Sequence, residues 1–243
     1  MRSVHGWFTR RPVCRAAAFV LISAAFLVSP VSAKESVSTV CEEGEALRVA
    51  QAVQARYESI QTLGASFEQR TESVVMGMSA LSDLEDAEVS RGRVLLGKPG
   101  LMRWTYTEPQ PSLVVSDGRT LWVYDAVARQ VTRVPVGQQV LAGAALQFLL
   151  GEGRLLDAFE IEASSCTPSS VTLDLQPVEP ASYERLGLVA DPKSGVIFET
   201  SIVDLFGNRT RIRFSDLITN QPIAPEQFEF VVPNGVEVND LGF

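Results

Sequence analysis

Apolar side chains recur along this chain at two different periods, and the period changes at Gly64. Before it, Leu47, Ala50, Val53, Tyr57 and Ile60 follow one another at three- and four-residue steps, with Gln, Arg and Glu between them. That spacing predicts one apolar stripe on a helix over residues 42–63. Glu42, Glu43 and Glu45 suit the positive end of its dipole, and Gly64 is placed to stop it. From Ala65 onward the period is two, as in half-buried strands. Strands are predicted at 67–76, 89–96, 101–107, 113–116, 120–124 and 130–134, then at 159–163, 171–175, 186–190, 196–205 and 210–214, with a last one at 228–232. Turn residues separate them: Lys98-Pro99-Gly100, Glu108-Pro109-Gln110-Pro111, Asp117-Gly118, Pro192-Lys193-Ser194-Gly195 and Gly207-Asn208. Ten to twelve short strands with tight connections predict an antiparallel meander that curls or closes.

Two segments depart from this rhythm. Residues 140–150 (VLAGAALQFLL) are apolar on every side and long enough for three helical turns. Such a helix must be covered all round, either as part of the core or as a plug where a ligand sometimes sits. At the start of the chain, Arg2, Arg10, Arg11 and Arg15 precede a thirteen-residue apolar run, Ala16 to Val28, and the small residues Val31-Ser32-Ala33. This is the pattern of a secretory leader cut after Ala33, and the run is short of the ~20 residues a membrane span needs. Cys41 lies too far on, and after Val40, to be a lipid-anchor cysteine. Residues 34–243 are therefore expected to be one exported, soluble domain.

Removal of the leader changes the inventory. Four of the 21 basic residues leave and none of the 29 acids, so the mature chain carries 17 against 29, a net charge of −12. Nucleic acid and anionic surfaces select basic patches and would repel such a protein as a whole. The single histidine, His5, leaves too, which removes histidine bases, Ser-His-Asp or Cys-His machinery and histidine metal ligands. No metal or other cofactor is expected. Cys41 and Cys166 remain as a pair in an oxidising compartment: one disulfide, or two separate buried or reactive thiols.

From Gly64 to Val134 the residues themselves resemble a known family. Leu63-Gly64-Ala65-Ser66-Phe67-Glu68-Gln69 is similar to the opening strand of the periplasmic outer-membrane lipoprotein carriers (the LolA family). Lys98-Pro99-Gly100-Leu101-Met102-Arg103-Trp104-Thr105-Tyr106 with Glu108-Pro109 resembles its second signature. Its third resembles Leu113-Val114-Val115-Ser116-Asp117-Gly118-Arg119-Thr120-Leu121-Trp122-Val123-Tyr124-Asp125 with Gln130-Val131-Thr132. Phe228-Glu229-Phe230 and Pro233-Asn234-Gly235-Val236 are similar to the closing strand. The resemblance implies a mainly β fold, an incomplete antiparallel β-barrel (half-barrel) covered by a helical lid, the lid being residues 42–63 and 140–150. It implies a periplasmic, non-enzymatic chaperone, monomeric, that takes lipidated lipoproteins from an inner-membrane releasing transporter to an outer-membrane receptor. Their acyl chains would lie on the apolar concave side.

Two departures stand out. Lys98 occupies the place of an arginine that latches the lid, and lysine lacks the planar fork of arginine. Residues 77–88 form a longer, more acidic loop than usual, which reads most simply as a solvated surface loop.

Alternation ranks the candidate lipid contacts. Met102, Trp104 and Tyr106 share one strand face, opposite Arg103 and Thr105; Trp122 and Tyr124 share one opposite Leu121 and Val123. With Phe67, and with Leu141, Phe148 and Leu149 of the apolar helix, they form the expected acyl-contact set, plain core packing being the alternative for each ring. Arg103 and Asp125 read as solvent-side residues or an ion pair. Two other functions compete. A periplasmic lipid-sensing signalling module has the same half-barrel, but such sensors carry a second domain for which no room is expected here. A histidine-free hydrolase needs two paired carboxylates, and the acids here are scattered through turns and strands.

Overall fold

The computed structural model describes residues 41–74, 88–136 and 154–242, all within one compact unit, Ser36–Phe243. The leader, most of the acidic loop and the apolar segment 140–150 lie outside the described residues. The first element is helix α1, Glu45–Ser59. It is followed by β1 (Thr62–Glu72), β2 (Glu88–Gly97), β3 (Leu101–Glu108), β4 (Ser112–Asp117), β5 (Thr120–Asp125) and β6 (Gln130–Pro135). A single turn, α2 (Leu155–Ala158), leads to β7 (Phe159–Cys166), β8 (Val171–Pro177), β9 (Tyr183–Ala190), β10 (Ile197–Asp204) and β11 (Arg209–Thr219). A 3₁₀ turn at Pro225–Phe228 and β12 (Glu237–Asp240) complete the order.

All twelve strands belong to one sheet, ordered β12-β6-β5-β4-β3-β2-β1-β11-β10-β9-β8-β7. It is two antiparallel meanders, β1–β6 and β7–β11, merged because β11 pairs with β1. The two outermost strands are β7 and β12, which do not pair, so the sheet is open and mainly β, as the sequence predicts, and not a closed barrel. Alternation sorts its faces. One carries the core; the other carries a cross-strand row of Glu108, Arg91, Glu68, Arg213 and Glu199 on β3, β2, β1, β11 and β10. Ion pairs of 2.6–2.9 Å join Arg91 to Glu68 and Glu108, and Arg213 to Glu199; at the surface of the sheet each contributes little.

Three elements differ from the sequence reading. Helix α1 ends at Ser59, and Gly64 lies inside β1, which starts at Thr62. The buried stripe of α1 is Val49, Ala50, Val53, Gln54 and Tyr57, while Leu47, taken as part of it, is 53% exposed. Leu47 stands at the margin of the true stripe, which is centred on the four-residue steps 49–53–57. The strand expected at 228–232 is absent. Pro225 opens a 3₁₀ turn there, and Phe228 and Phe230 act as side-chain anchors instead of ladder members. The strand actually formed, β12, pairs parallel to β6 and is exposed at all four positions. It carries no alternation that a pattern could detect.

Helix α1 is fastened to the inner face at several points. Cys41 and Cys166 are bonded to each other, tying the approach to α1 to the end of β7. The buried Gln54 accepts the backbone N–H of Leu155 at 2.7 Å and donates to Glu58 at 2.7 Å, so both of its polar atoms are used. The β9–β10 turn passes directly beneath the helix at Gly195. A Cβ there would lie 2.3 Å from the Ala52 carbonyl oxygen, and φ is +67°. Only glycine meets both conditions.

Candidate functional site

Between the two meanders the inner face encloses an apolar cavity of about 280 Å³, close to the lower end of small-ligand cavities. One wall is the aromatic side of β3, with Met102, Trp104 and Tyr106 in line and Val114 of β4 beside them. The facing wall comes from the second meander, where Leu175, Leu186, Leu188, Ile202, Ile212 and Phe214 contribute, together with Leu155 and Phe159 before and at the start of β7. Gln69, Tyr106, Thr200 and Ser201 are the hydroxyl- and amide-bearing residues among the lining. A lining so largely apolar favours a hydrocarbon guest.

The register explains how the ring cluster forms. Phe67 of β1 stands opposite Gly92 of β2, which stands opposite Tyr106 of β3. The missing side chain at Gly92 leaves the row open, so the Phe67 ring reaches across to Trp104 (centroids 4.8 Å apart) and Tyr106 (5.1 Å). A Cβ at Gly92 would lie 3.0 Å from Phe67 Cε1 and 1.9 Å from the Thr105 carbonyl oxygen. Phe67 itself is 3% exposed, so it supports the wall from behind while Trp104 and Tyr106 present their rings to the cavity. The Tyr106 hydroxyl donates to Gln69 Oε1 at 3.0 Å, and burial pushes its pKa up, keeping it neutral. Trp104 Nε1 is buried without a hydrogen-bond partner among the described residues.

Trp122 and Tyr124 do not line this cavity. Trp104 pairs with Val114, and Val114 pairs with Val123, so Val123 shares the inner face and its neighbours Trp122 and Tyr124 point outward. There they meet Phe230 of the C-terminal arm, at 6.2 and 5.9 Å between centroids. Arg103, also on that side, donates to the Gln227 carbonyl at 3.1 Å and helps hold the arm. Asp125 accepts the backbone N–H groups of Val127 and Ala128, so it shapes the β5–β6 turn. Leu141, Phe148 and Leu149 lie outside the described residues.

Lys98 is half-buried between the sheet and α1, and its ammonium donates to the carbonyl of Tyr57 near the helix C-terminus. Desolvation lowers its pKa, partly offset by Glu58. It therefore contacts the first of the two helices that the resemblance assigns to the lid. The far wall of the cavity escaped the sequence reading. Its residues alternate correctly in β8 to β11, but no aromatic signature marks them, and which meander faces which is a matter of pairing.

Against known proteins, the family model Outer membrane lipoprotein carrier protein LolA matches residues 58–231. The outer-membrane lipoprotein carrier protein of Chromobacterium violaceum is 34% identical over 154 residues, covering 62% of this chain and 72% of that one. The protein of the same name from Methylococcus capsulatus is 36% identical over 152 residues, 61% and 71% of the two chains. Among solved structures, a LolA superfamily protein from Nitrosomonas europaea is similar at 13% identity and a TM-score of 0.41, over 74% of this chain and 97% of that one. With its aromatic-walled sheet and the family match across most of its length, this chain belongs to the outer membrane lipoprotein carrier protein LolA family.

Proposed function

We propose that this protein is a periplasmic carrier that lodges the acyl chains of lipoproteins in its apolar cavity and conveys them from the inner to the outer membrane. The observation that carries the reading is the cavity itself, walled by Met102, Trp104 and Tyr106 on one side and by aliphatic residues of the second meander on the other. Leaving acyl chains in water costs ~0.8 kcal/mol per CH₂, so a mobile apolar cavity is what transit through an aqueous compartment requires. Full recovery of that energy would prevent release, since the tightest complexes scarcely dissociate. Partial burial under a detachable helix satisfies both demands. Lys98 is the latch in this scheme, holding α1 by a single charged donor. An inner-membrane transporter would load the carrier and an outer-membrane receptor would unload it, with the carrier acting as a monomer and performing no catalysis.

The test is to purify the protein gently from a periplasmic extract and identify what accompanies it by mass spectrometry. Lipidated proteins are expected, and their unlipidated forms are not. Lys98→Leu should still hold cargo but release it several times more slowly to an acceptor membrane. Absence of lipidated cargo, together with no uptake of a fluorescent fatty acid, would overturn the reading.

A further inference from the structure

The turn between β10 and β11 presents two adjacent large apolar side chains to solvent: Leu205 is 64% exposed and Phe206 84%. Val74, 45% exposed, lies beside them, its Cγ2 within 3.1 Å of where a Gly207 Cβ would be. A floppy loop could fold such residues away, but this turn is fixed. Asp204 accepts the backbone N–H groups of Phe206 and Asn208, both at 2.9 Å, through one oxygen, and the Asn208 amide at 2.8 Å through the other. Asn208 in turn accepts the Val74 N–H at 3.1 Å and the Ser73 hydroxyl at 3.2 Å, joining the turn to the end of β1. These bonds hold the Asp204 carboxyl well below its usual pKa, so it stays charged and engaged. The strands entering and leaving the turn line the cavity with Ile202 and Ile212.

The surroundings indicate what the tip would enter. Arg185 of β9 and Arg209 of β11 flank Val203 of β10 in the register, and both are exposed. Neither forms an ion pair with an acid among the described residues, although Glu72 stands opposite Arg209. Two free guanidinium groups beside a rigid apolar tip match a bilayer surface, where rings and aliphatic side chains enter the acyl boundary and arginines meet anionic headgroups.

We propose that the Leu205–Phe206 turn is a membrane-docking tip that inserts into the surface of a bilayer containing anionic lipid, bringing the adjoining end of the cavity to the lipid interface. The proposal goes beyond the carrier function and stands on a different set of residues. It also refines the charge argument: the mature chain is acidic as a whole, yet two guanidinium groups outside any ion pair among the described residues flank this tip, while Asp204 is engaged in the turn's own hydrogen bonds.

Flotation of the mature protein with vesicles tests it, using phosphatidylethanolamine alone and phosphatidylethanolamine with phosphatidylglycerol, neither containing lipoprotein. Wild type should float with the mixed vesicles and do so less at high salt. The double variant Leu205→Ser/Phe206→Ser should lose at least about tenfold in vesicle affinity, as expected when two interfacial side chains are withdrawn. Arg185→Gln and Arg209→Gln should each weaken binding severalfold, on the mixed vesicles alone. Uptake of a fluorescent fatty acid and the thermal transition should match wild type in all of these, so failure of docking is distinguishable from failure of the carrier reading. No flotation of wild type, or equal flotation of the tip variant, overturns the proposal. A tip variant that floats normally but delivers cargo poorly to outer-membrane preparations also overturns it, because the tip then fits a protein.

Discussion

Two clusters of aromatic rings lie on opposite faces of the same sheet. Inside, Phe67, Trp104 and Tyr106 converge through the gap at Gly92 and form a cavity wall. Outside, Trp122 and Tyr124 receive Phe230 from the C-terminal arm. By composition and by strand alternation the two are alike. What differs is what lies against the rings. The inner rings border an apolar void of about 280 Å³ between the meanders, whereas the outer rings are capped by a ring of the same chain. A shared residue type therefore serves binding on one face and closure on the other.

The sharpest way to break this contrast is to remove one ring from each cluster. Phe67→Ala should cost about 3–5 kcal/mol in denaturant unfolding, because a fully buried phenyl leaves a cavity where two other rings rest. Phe230→Ala should cost roughly half as much or less, its site being only partly buried. Equal costs would make the outer cluster a second core and not a cap.

A smaller effect is expected from charges placed on the two faces. Trp104→Glu puts a carboxylate at the cavity wall, and binding of an acylated cargo or fatty-acid probe should weaken about a hundredfold or more while the fold persists. Tyr124→Glu should leave binding within about threefold, since its ring points away from the cavity. If the Trp104 variant unfolds, Trp104 is core; if it folds and binds normally, the guest lies elsewhere.

The mildest test concerns helix α1. Burial of its Tyr57 pushes the hydroxyl pKa from 10.0 up to about 12. The unfolded chain then gives up this proton first as pH rises, so the stability is intact below pH 10 and is lost between pH 10 and about 12. The loss should be on the order of 2 kcal/mol at the upper end. Tyr57→Phe should flatten that part of the stability profile, measured by urea unfolding from pH 9 to 12. An unchanged slope would assign the alkaline loss to other groups.

Much of this was legible in the amino-acid order. Period-two alternation, Asp117-Gly118 and Pro192 to Gly195 mark strands and turns because those residues act through local backbone geometry. The signatures around Phe67, Met102 and Trp122 pointed to the family, and the face shared by Met102, Trp104 and Tyr106 was read correctly from alternation alone. That Trp122 and Tyr124 share a face opposite Leu121 and Val123 was read as well, but not that this face lies away from the cavity. Alternation gives parity within a strand, and parity between strands depends on how many residues the connection leaves unpaired. Between Tyr106 and Ser112, which pair, five residues intervene. One residue more or fewer would have put Trp122 and Tyr124 in the cavity, and a connection with Pro109 and Pro111 does not announce its pairing count.

What the sequence determined by itself was strands β1 to β11 in outline, most of the turns and the resemblance to the family. The tertiary structure decided the pairing of β11 with β1, which merges two meanders and builds the far wall of the cavity. It also decided which rings face inward, the parallel seat of β12 on β6, and the fixed exposure of Leu205 and Phe206. The strand pairings depend on contacts between residues far apart in the chain, and the facing of the rings on the pairing count of a connection; local propensity carries no information about either.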